Sequence, residues 1–570
     1  MKKRIIIIGG VAGGASTAAR YRRLDEFAEI IILERGPYVS FANCGLPYYI
    51  GKVIQDREKL VLMTPEKFKQ FFNIDVRVLN EAISIDRERK IVKVIDREVG
   101  KEYELSYDKL VLAPGAEPIR PPFRGMDDIP IFSLRNIPDT EKIYEFIEKN
   151  NPVTATVIGG GYIGLEMVEN LSRRGIRVKV IELLDQVLPT LDREMAQFIH
   201  NELVLNRVKL ILGDGVVGIE KSTDGEGKYK VITKSGRKIG TDLVILSIGI
   251  RPDTHLAKDC GLELTERGYI IVDEHMQTSD PDIYAVGDAV QIKNFITEKP
   301  TVVPLAGPAN REGRIAADNL AGRDTTYKGS IGTAVLKVFD KTVAQTGLNE
   351  KQLKSLGITN YEKIYVHPQN HASYYPDAQE ISMKLIFDSK NGRILGAQAV
   401  GGPGTEKRID VIATVINFKG TVYDLENLEL CYAPQFGCAR DCVNMAGFVA
   451  SNVMRGEVKI WHWNEAQKLK EEGATIIDVR GPELHAEGCI PGAINIPIGQ
   501  LRERLDEIPK NKPVYLHCVT GFTSYLAYRI LKQHGFDPRN LTGGYKIYQI
   551  ATLEEDSHIG ELKPYFTPGC

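Results

Sequence analysis

The sequence predicts a multidomain α/β chain, and three observations lead to that class. Short runs of β-branched residues end in glycine clusters, as buried parallel strands entering a turn do: Ile5–Ile8 before Gly9–Gly14, and Val153–Ile158 before Gly159–Gly164. Each cluster is followed by a helical pattern and a further apolar run. The length of 570 residues exceeds one ordinary domain; at roughly 100–200 residues per domain it suggests about three to five. Lys+Arg 73 against Asp+Glu 75 leaves a net charge of −2, with no basic surplus for a nucleic-acid backbone. No run of about 18 apolar residues is present to span a membrane. Eight cysteines are too few for a disulfide scaffold and read as single reactive thiols in a reducing, cytoplasmic compartment. The basic Met1–Arg4 followed by Ile5–Ile8 imitates a secretory leader, but that apolar run is too short for one.

The first unit reads as strand Ile5–Ile8, turn Gly9-Gly10-Val11-Ala12-Gly13-Gly14, helix Ala15–Leu24 and strand Glu29–Glu34. Such a unit aims the N–H groups and positive dipole end of its helix at a pyrophosphate, with Gly9, Gly10, Ala12 and Gly13 lining the turn. Glu34, 25 residues after Gly9 and followed by Arg35, stands where a carboxylate accepts ribose hydroxyls. Val11 holds the middle glycine position of G-x-G-x-x-G. The second unit has the complete motif at Gly159, Gly161 and Gly164, enclosing Tyr162 and Ile163, with Glu166 on the following helix (Leu165–Arg174) and Glu182 ending the strand Arg177–Glu182. Two Rossmann-like fingerprints 150 residues apart point to two dinucleotides, FAD and a nicotinamide cofactor. Glu182 repels a 2′-phosphate and Leu183-Leu184 supply no Arg, so NADH is favoured, with NADPH possible. Three further strands end in glycine turns: Leu110–Ala116 with Ala113 and Gly115, Leu246–Pro252 with Gly249, and Thr278–Asp288 with Gly287 and Asp288.

Over about residues 1–450 these features resemble the two-dinucleotide-binding flavoproteins of the pyridine-nucleotide disulfide reductase family. The resemblance implies an FAD-binding domain at 1–112 and 247–325, an NAD(P)H-binding domain at 113–246 and an α+β dimerisation domain at 326–452, with Gly287-Asp288 against the flavin ribityl chain. The alternating runs from Val335 and from Ile381 fit antiparallel strands of that dimerisation domain. Asn452–Lys459 reads as a linker. After it, Ala474–Arg480, Gly488–Pro497, Val514–Cys518 and Leu541–Tyr545 together resemble a rhodanese domain, an α/β unit at 458–570.

Cys44 lies in Ser40-Phe41-Ala42-Asn43-Cys44-Gly45-Leu46-Pro47-Tyr48, and Tyr49 stands where many relatives carry the second cysteine of C-x₄-C. A lone redox cysteine beside a flavin must pair with oxygen or an external thiol; the bland alternative is an inert packed Cys. The single-cysteine branch includes NADH peroxidases, NADH oxidases and coenzyme A disulfide reductases. The first two typically carry His where this chain has Ala12, so the resemblance is to the CoA type. It implies Ser40 and Asn43 at the substrate, and Arg20 and Arg23, on a helix that also carries Arg22, at CoA phosphates; a solvated basic face is the alternative. His371–Pro376 and Cys431–Pro434 match segments by which such enzymes send tyrosines into the partner subunit's active site, implying a homodimer with Tyr374 and Tyr432 at the sulfur. Cys438 and Cys442 read as packing residues, with a resolving thiol as the alternative. With Cys431 they have no His or fourth Cys nearby to complete a metal site, and no metal is expected.

Cys518 opens the loop Cys518-Val519-Thr520-Gly521-Phe522-Thr523-Ser524 ahead of a helix at Tyr525–Gln533. A thiol ringed by backbone N–H groups at a helix N-terminus can hold a persulfide anion. The family's loop commonly carries Arg at 523; Thr523 implies a preference for an uncharged or CoA-bound persulfide over thiosulfate, with a non-catalytic domain as the alternative. Cys489 and Cys570 lack such a setting. The expected function is an NADH-dependent FAD enzyme reducing CoA disulfide, CoA persulfide or polysulfide through Cys44, with a fused sulfurtransferase. Its rivals are an NADH oxidase or peroxidase, and a persulfide carrier or redox-sensing protein.

Overall fold

The computed structural model describes residues 2–126, 129–223, 225 and 227–553; Cys570 lies outside them. The chain divides into two compact units, Met1–Leu183 with Gly213–Ser330, and Leu184–Leu212 with Ile331–Cys570.

In the first unit the four isoleucines of strand Arg4–Ile8 are almost wholly buried because parallel neighbours flank the strand and structure covers both faces of the sheet. The sheet order is Ile283–Ala285, Lys109–Leu112, Arg4–Ile8, Glu29–Glu34, Asp75–Val78, all parallel. A strand from residue 283 thus closes a sheet begun at residue 4, which carries Gly287-Asp288 to the same sheet end as the Gly9 turn. A second parallel sheet places Thr154–Ile158 between Arg177–Ile181 and Leu243–Leu246, with Ile131–Phe132 beyond the latter. The helices after the two glycine turns are Ala12–Arg22 and Tyr162–Arg173. Both begin three residues earlier than their sequence patterns suggest, because motif residues after the turn form the first helical turn.

The second unit is built on an antiparallel sheet, ordered Ala334–Val338, Lys341–Gly347, Ile394–Gly401, Ile381–Asp388, Tyr361–Val366. Helices Thr405–Asn417 and Cys442–Met454 pack on it. The latter ends at Met454, and Gly456, at φ +70°, turns the chain into the tail. There Ile460–Trp461, Pro538–Leu541, Val514–His517, Thr475–Asp478 and Ile494–Asn495 form a parallel sheet in that order. Helix Arg193–Leu205 belongs to this unit and packs against helix Gly544–Ala551 of the tail. Among the described residues no helix is long and apolar enough to cross a membrane.

Candidate active site

The two glycine turns are built alike. Gly9 and Gly159 have φ +97° and +103°, and a Cβ on either would lie 2.1 and 2.2 Å from the carbonyl oxygens of Ala113 and Ser247. Only glycine permits that approach. Gly14 and Gly164 close the motif: their Cβ positions fall 1.9 and 2.1 Å from the carbonyls of Gly9 and Gly159. Gly14 is absent from the sequence-derived site residues, although its offset from Gly9 repeats that of Gly164 from Gly159. Gly13 packs on Val286, and Gly313 of helix Ala306–Leu320 meets the Gly13 carbonyl, so the glycines also set a close helix crossing.

Neither helix has an acidic residue in its first turn or a side-chain cap, an arrangement that suits a phosphate. Gly161 has open space where a Cβ would stand. Glu34 accepts the N–H groups of Gly10 (3.0 Å) and Gly36 (2.8 Å), while burial raises its pKa. Glu182 accepts the N–H of Gly160 at 2.6 Å. Each carboxylate therefore stands at the lip of its own turn. Arg35 is held by Asp253 at 2.6 Å and Glu117 at 3.3 Å. Gly115 and Gly249 sit at φ +72° and +116° in the turns after their strands.

Gly287, at φ +84°, donates its N–H to Glu312 at 2.7 Å. Burial lifts Glu312 to about 7, with Asp288 adding to the rise; burial also raises Asp288 against the pull of Arg135. Glu312, deep on helix Ala306–Leu320, carries no local sequence signal. The cradle fits FAD: a pyrophosphate at the Gly9 turn, a ribose at Glu34 and a ribityl chain at Gly287-Asp288. The second turn, with Glu182, likewise fits a nicotinamide dinucleotide.

Cys44 is exposed in the turn Asn43–Gly45, ahead of helix Leu46–Ile50. Ser40, at φ +46°, donates its N–H to the Gly10 carbonyl and accepts that of Leu62, tying the cysteine segment to the first glycine turn. Asn43 is exposed beside the thiol. The protein surroundings alone raise the thiol pKa, first by burial of the sulfur's inner side and then by the facing Glu166 and Asp288. The chain places carboxylates, not cations, around Cys44. Glu166 is itself lifted to about 7 by burial, against a hydrogen bond from Tyr48 at 3.3 Å. Tyr49 stacks on Tyr144, and none of the seven described cysteines is in a disulfide.

Arg20 is drawn into an ion pair with Asp318 at 2.7 Å, and Arg22 donates to the carbonyls of Asp25, Glu26, Ala28, Phe72 and Asn73. Only Arg23 of the three is exposed; the interior of the sheet-and-helix layer claims the other two.

In the second unit Tyr374 and Tyr432 meet hydroxyl to hydroxyl at 2.9 Å, both exposed. Their segments are knitted by the Ala372 N–H to the carbonyls of Pro434 and Gly437 and by the buried Arg408, which bonds Asn370 and Asp441. Cys438 and Cys442 are buried, Cys442 against Met383 with its thiol pKa pushed up by burial; Cys431 is exposed. Cys518 follows strand Val514–His517. Its Sγ accepts from the Gly521 N–H at 3.1 Å and the Ser524 hydroxyl at 3.2 Å, before helix Phe522–Gln533 that includes Thr523. Cys489 is half-buried, its pKa raised by burial and by Asp478. Asp192, Glu194 and Glu350 converge as a metal site's carboxylates do, but the Lys384 ammonium fills the centre, at 2.8, 2.5 and 2.6 Å from them.

Comparison with known proteins gives this arrangement its kin. Residues 3–313 match the pyridine nucleotide-disulphide oxidoreductase family, 333–440 its dimerisation domain and 462–551 the rhodanese-like domain. A coenzyme A disulfide reductase of Staphylococcus aureus is 37% identical over 78% of this chain and 99% of its own. The crystal structure of reduced Bacillus anthracis CoADR-RHD matches with TM-score 0.94 and 48% identity, covering 97% of this chain and 98% of that one. The NAD-dependent persulfide reductase of A. fulgidus matches with TM-score 0.88 and 38% identity, covering 96% and 100%. The resemblance seen in the sequence is borne out: this chain belongs to the pyridine nucleotide-disulphide oxidoreductase family and carries a rhodanese-like domain behind its dimerisation domain.

Proposed function

We propose that the protein is an NADH-dependent reductase of CoA disulfide, CoA persulfide or polysulfide, working as a homodimer, with its rhodanese-like domain passing sulfane sulfur. The observation that carries this reading is Cys44, a free thiol exposed at the flavin-type cradle with Tyr49 where a resolving cysteine would stand. Such a thiol has no partner in its own turn and completes its chemistry with oxygen or an external thiol. The similarity to a CoA disulfide reductase and to a persulfide reductase supports that partner class.

FAD, when bound, supplies a two-electron link from the nicotinamide to sulfur. The Cys44 thiolate attacks the CoA-bound sulfur of CoA-S-SH, forming Cys44–S–S–CoA and releasing HS⁻. Two electrons then break that disulfide, restoring the Cys44 thiolate and releasing CoASH. Overall, CoA-S-SH + NADH + H⁺ gives CoASH + H₂S + NAD⁺. Tyr374 and Tyr432, paired on the exposed segment, enter the partner subunit's site and protonate the departing thiolate. Arg23 binds CoA phosphate. Ala12, in place of a His, leaves the first turn without the acid/base group of the peroxidase type, which disfavours that rival.

The test follows NADH oxidation with CoA disulfide and CoA persulfide for wild type, Cys44→Ser and Cys518→Ser. Cys44→Ser is expected to lose at least about a hundredfold in turnover with both substrates, and Cys518→Ser to keep CoA disulfide reduction. Undiminished turnover in Cys44→Ser refutes the mechanism.

A further inference from the structure

The rhodanese-like domain borrows part of the support for its active loop from the antiparallel sheet before it in the chain. Tyr361–Val366 is an edge strand of that sheet, and an edge leaves backbone N–H groups in need of partners. The N–H of Tyr365, buried, donates to Thr542 Oγ1 at 3.0 Å. The next residue, Gly543, has φ +75°, and a Cβ there would lie 2.8 Å from Tyr365 Cβ. Gly544 follows at φ +63°, with its Cβ position 2.5 Å from the Val519 carbonyl oxygen. The two glycines therefore form a thin spacer, one against the sheet edge and one against the loop of Cys518.

From that spacer the chain grips the loop. The Tyr545 N–H donates to the Cys518 carbonyl at 2.7 Å and the Lys546 N–H to the Val519 carbonyl at 3.0 Å, while Asn540 Nδ2 holds the Gly521 carbonyl at 3.0 Å. Lys546 turns its ammonium back to the sheet, where it pairs with Glu380, next to strand Ile381–Asp388. A second tie joins His462 Nε2 to Glu362 Oε1 at 2.9 Å. Lys546, which holds the Val519 carbonyl, is thus itself anchored on the sheet, and Tyr545, which holds that of Cys518, lies in the chain between Lys546 and the Thr542 anchor.

We propose that Thr542 and Lys546 are positioning residues for sulfur transfer: anchored on Tyr365 and Glu380, they fix the Cys518 loop so that Gly521 N–H and Ser524 hydroxyl converge on the sulfur. The proposal rests on the sulfurtransferase reading above. In that reaction the Cys518 thiolate takes the outer sulfur of CoA-S-SH while the persulfide proton passes to the departing CoA sulfur, releasing CoASH. The two donors steady the resulting Cys518–S–S⁻, and an acceptor such as cyanide removes the sulfur as thiocyanate and restores the thiolate. Misplacing the loop by a fraction of an ångström weakens both hydrogen bonds at once, which costs rate rather than substrate affinity.

The experiment uses the full-length FAD-loaded protein with CoA persulfide and cyanide, and follows thiocyanate. Lys546→Met and Thr542→Val are expected to lower kcat about tenfold with KM within about twofold. Lys546→Arg is expected to restore most of the rate, and NADH oxidation with CoA disulfide to stay at the wild-type level in all three. In parallel, the rate of Cys518 alkylation by iodoacetamide, read by peptide mass, should change in the same two variants and recover in Lys546→Arg. Wild-type kcat and alkylation in Lys546→Met and Thr542→Val overturn the proposal, as does an equal loss of CoA disulfide reduction, which marks a general structural defect. If the wild type itself forms no thiocyanate, the sulfurtransferase reading fails, while the alkylation rates still decide whether these residues position the loop.

Discussion

Glu312 shows how a single buried group makes the FAD-type cradle pH-sensitive. Its carboxyl titrates at about 7 instead of 4.5 because burial penalises the charged form more than the Gly287 N–H rewards it. With the folded pKa above the unfolded one, its stabilising contribution is complete below pH 4.5 and is lost as pH rises through 7. The difference is about 3 kcal/mol by pH 8. Glu312→Gln keeps an acceptor for Gly287 without the titration. Melting temperatures between pH 5 and pH 8 should therefore fall less in this variant than in the wild type; parallel profiles would refute the assignment. Glu166 responds to burial in the same way near Cys44. Neither shift is legible in the sequence: Glu166 is read there only as part of the second dinucleotide unit and Glu312 carries no local signal, and the shift arises when the facing layers cover them.

At the scale of the element, the glycine turn is where sequence and structure agree most closely. The spacing of Gly159, Gly161 and Gly164 announces the strand, turn and helix, and the positive φ and carbonyl approach at Gly159 supply the reason. The same geometry at Gly9 and Gly14 shows that Val11 relaxes only the middle position. Gly14→Ala drives a Cβ to 1.9 Å from the Gly9 carbonyl oxygen, so the purified variant should carry much less flavin. Gly164→Ala should keep its flavin absorbance and instead raise the KM for NADH by about tenfold or more. Flavin lost from the second variant and retained in the first would reverse the assignment of the two turns.

On the whole-molecule scale the second unit closes around one buried charge cluster. Lys384, with no exposed surface, is shared by Asp192, Glu194 and Glu350, and Tyr365 donates its hydroxyl to Glu194 at 2.7 Å. The attraction raises the lysine pKa and lowers those of Glu194 and Glu350 despite the cost of desolvation. Lys384→Met leaves the buried Asp192 and Glu194 without their cation, Glu350 keeping Lys363 at 2.7 Å, and should cost about 3–5 kcal/mol, read as a lower urea midpoint for the second unit's transition. An unchanged midpoint would mean that the cluster is not what holds Leu184–Leu212 to the sheet. By itself the sequence determined what local spacing encodes: two dinucleotide turns, an unpaired Cys44 and a rhodanese-like strand and loop at Cys518, because glycine conformations and strand-to-turn patterns are set within a few residues. Only the tertiary structure decided which charges are spent inside the fold. It drew Arg20 to Asp318, drew Asp192 and Glu194 to Lys384, and set carboxylates rather than cations around Cys44. Those outcomes depend on which distant layers exclude water from each group, and no stretch of sequence records its neighbours across a sheet.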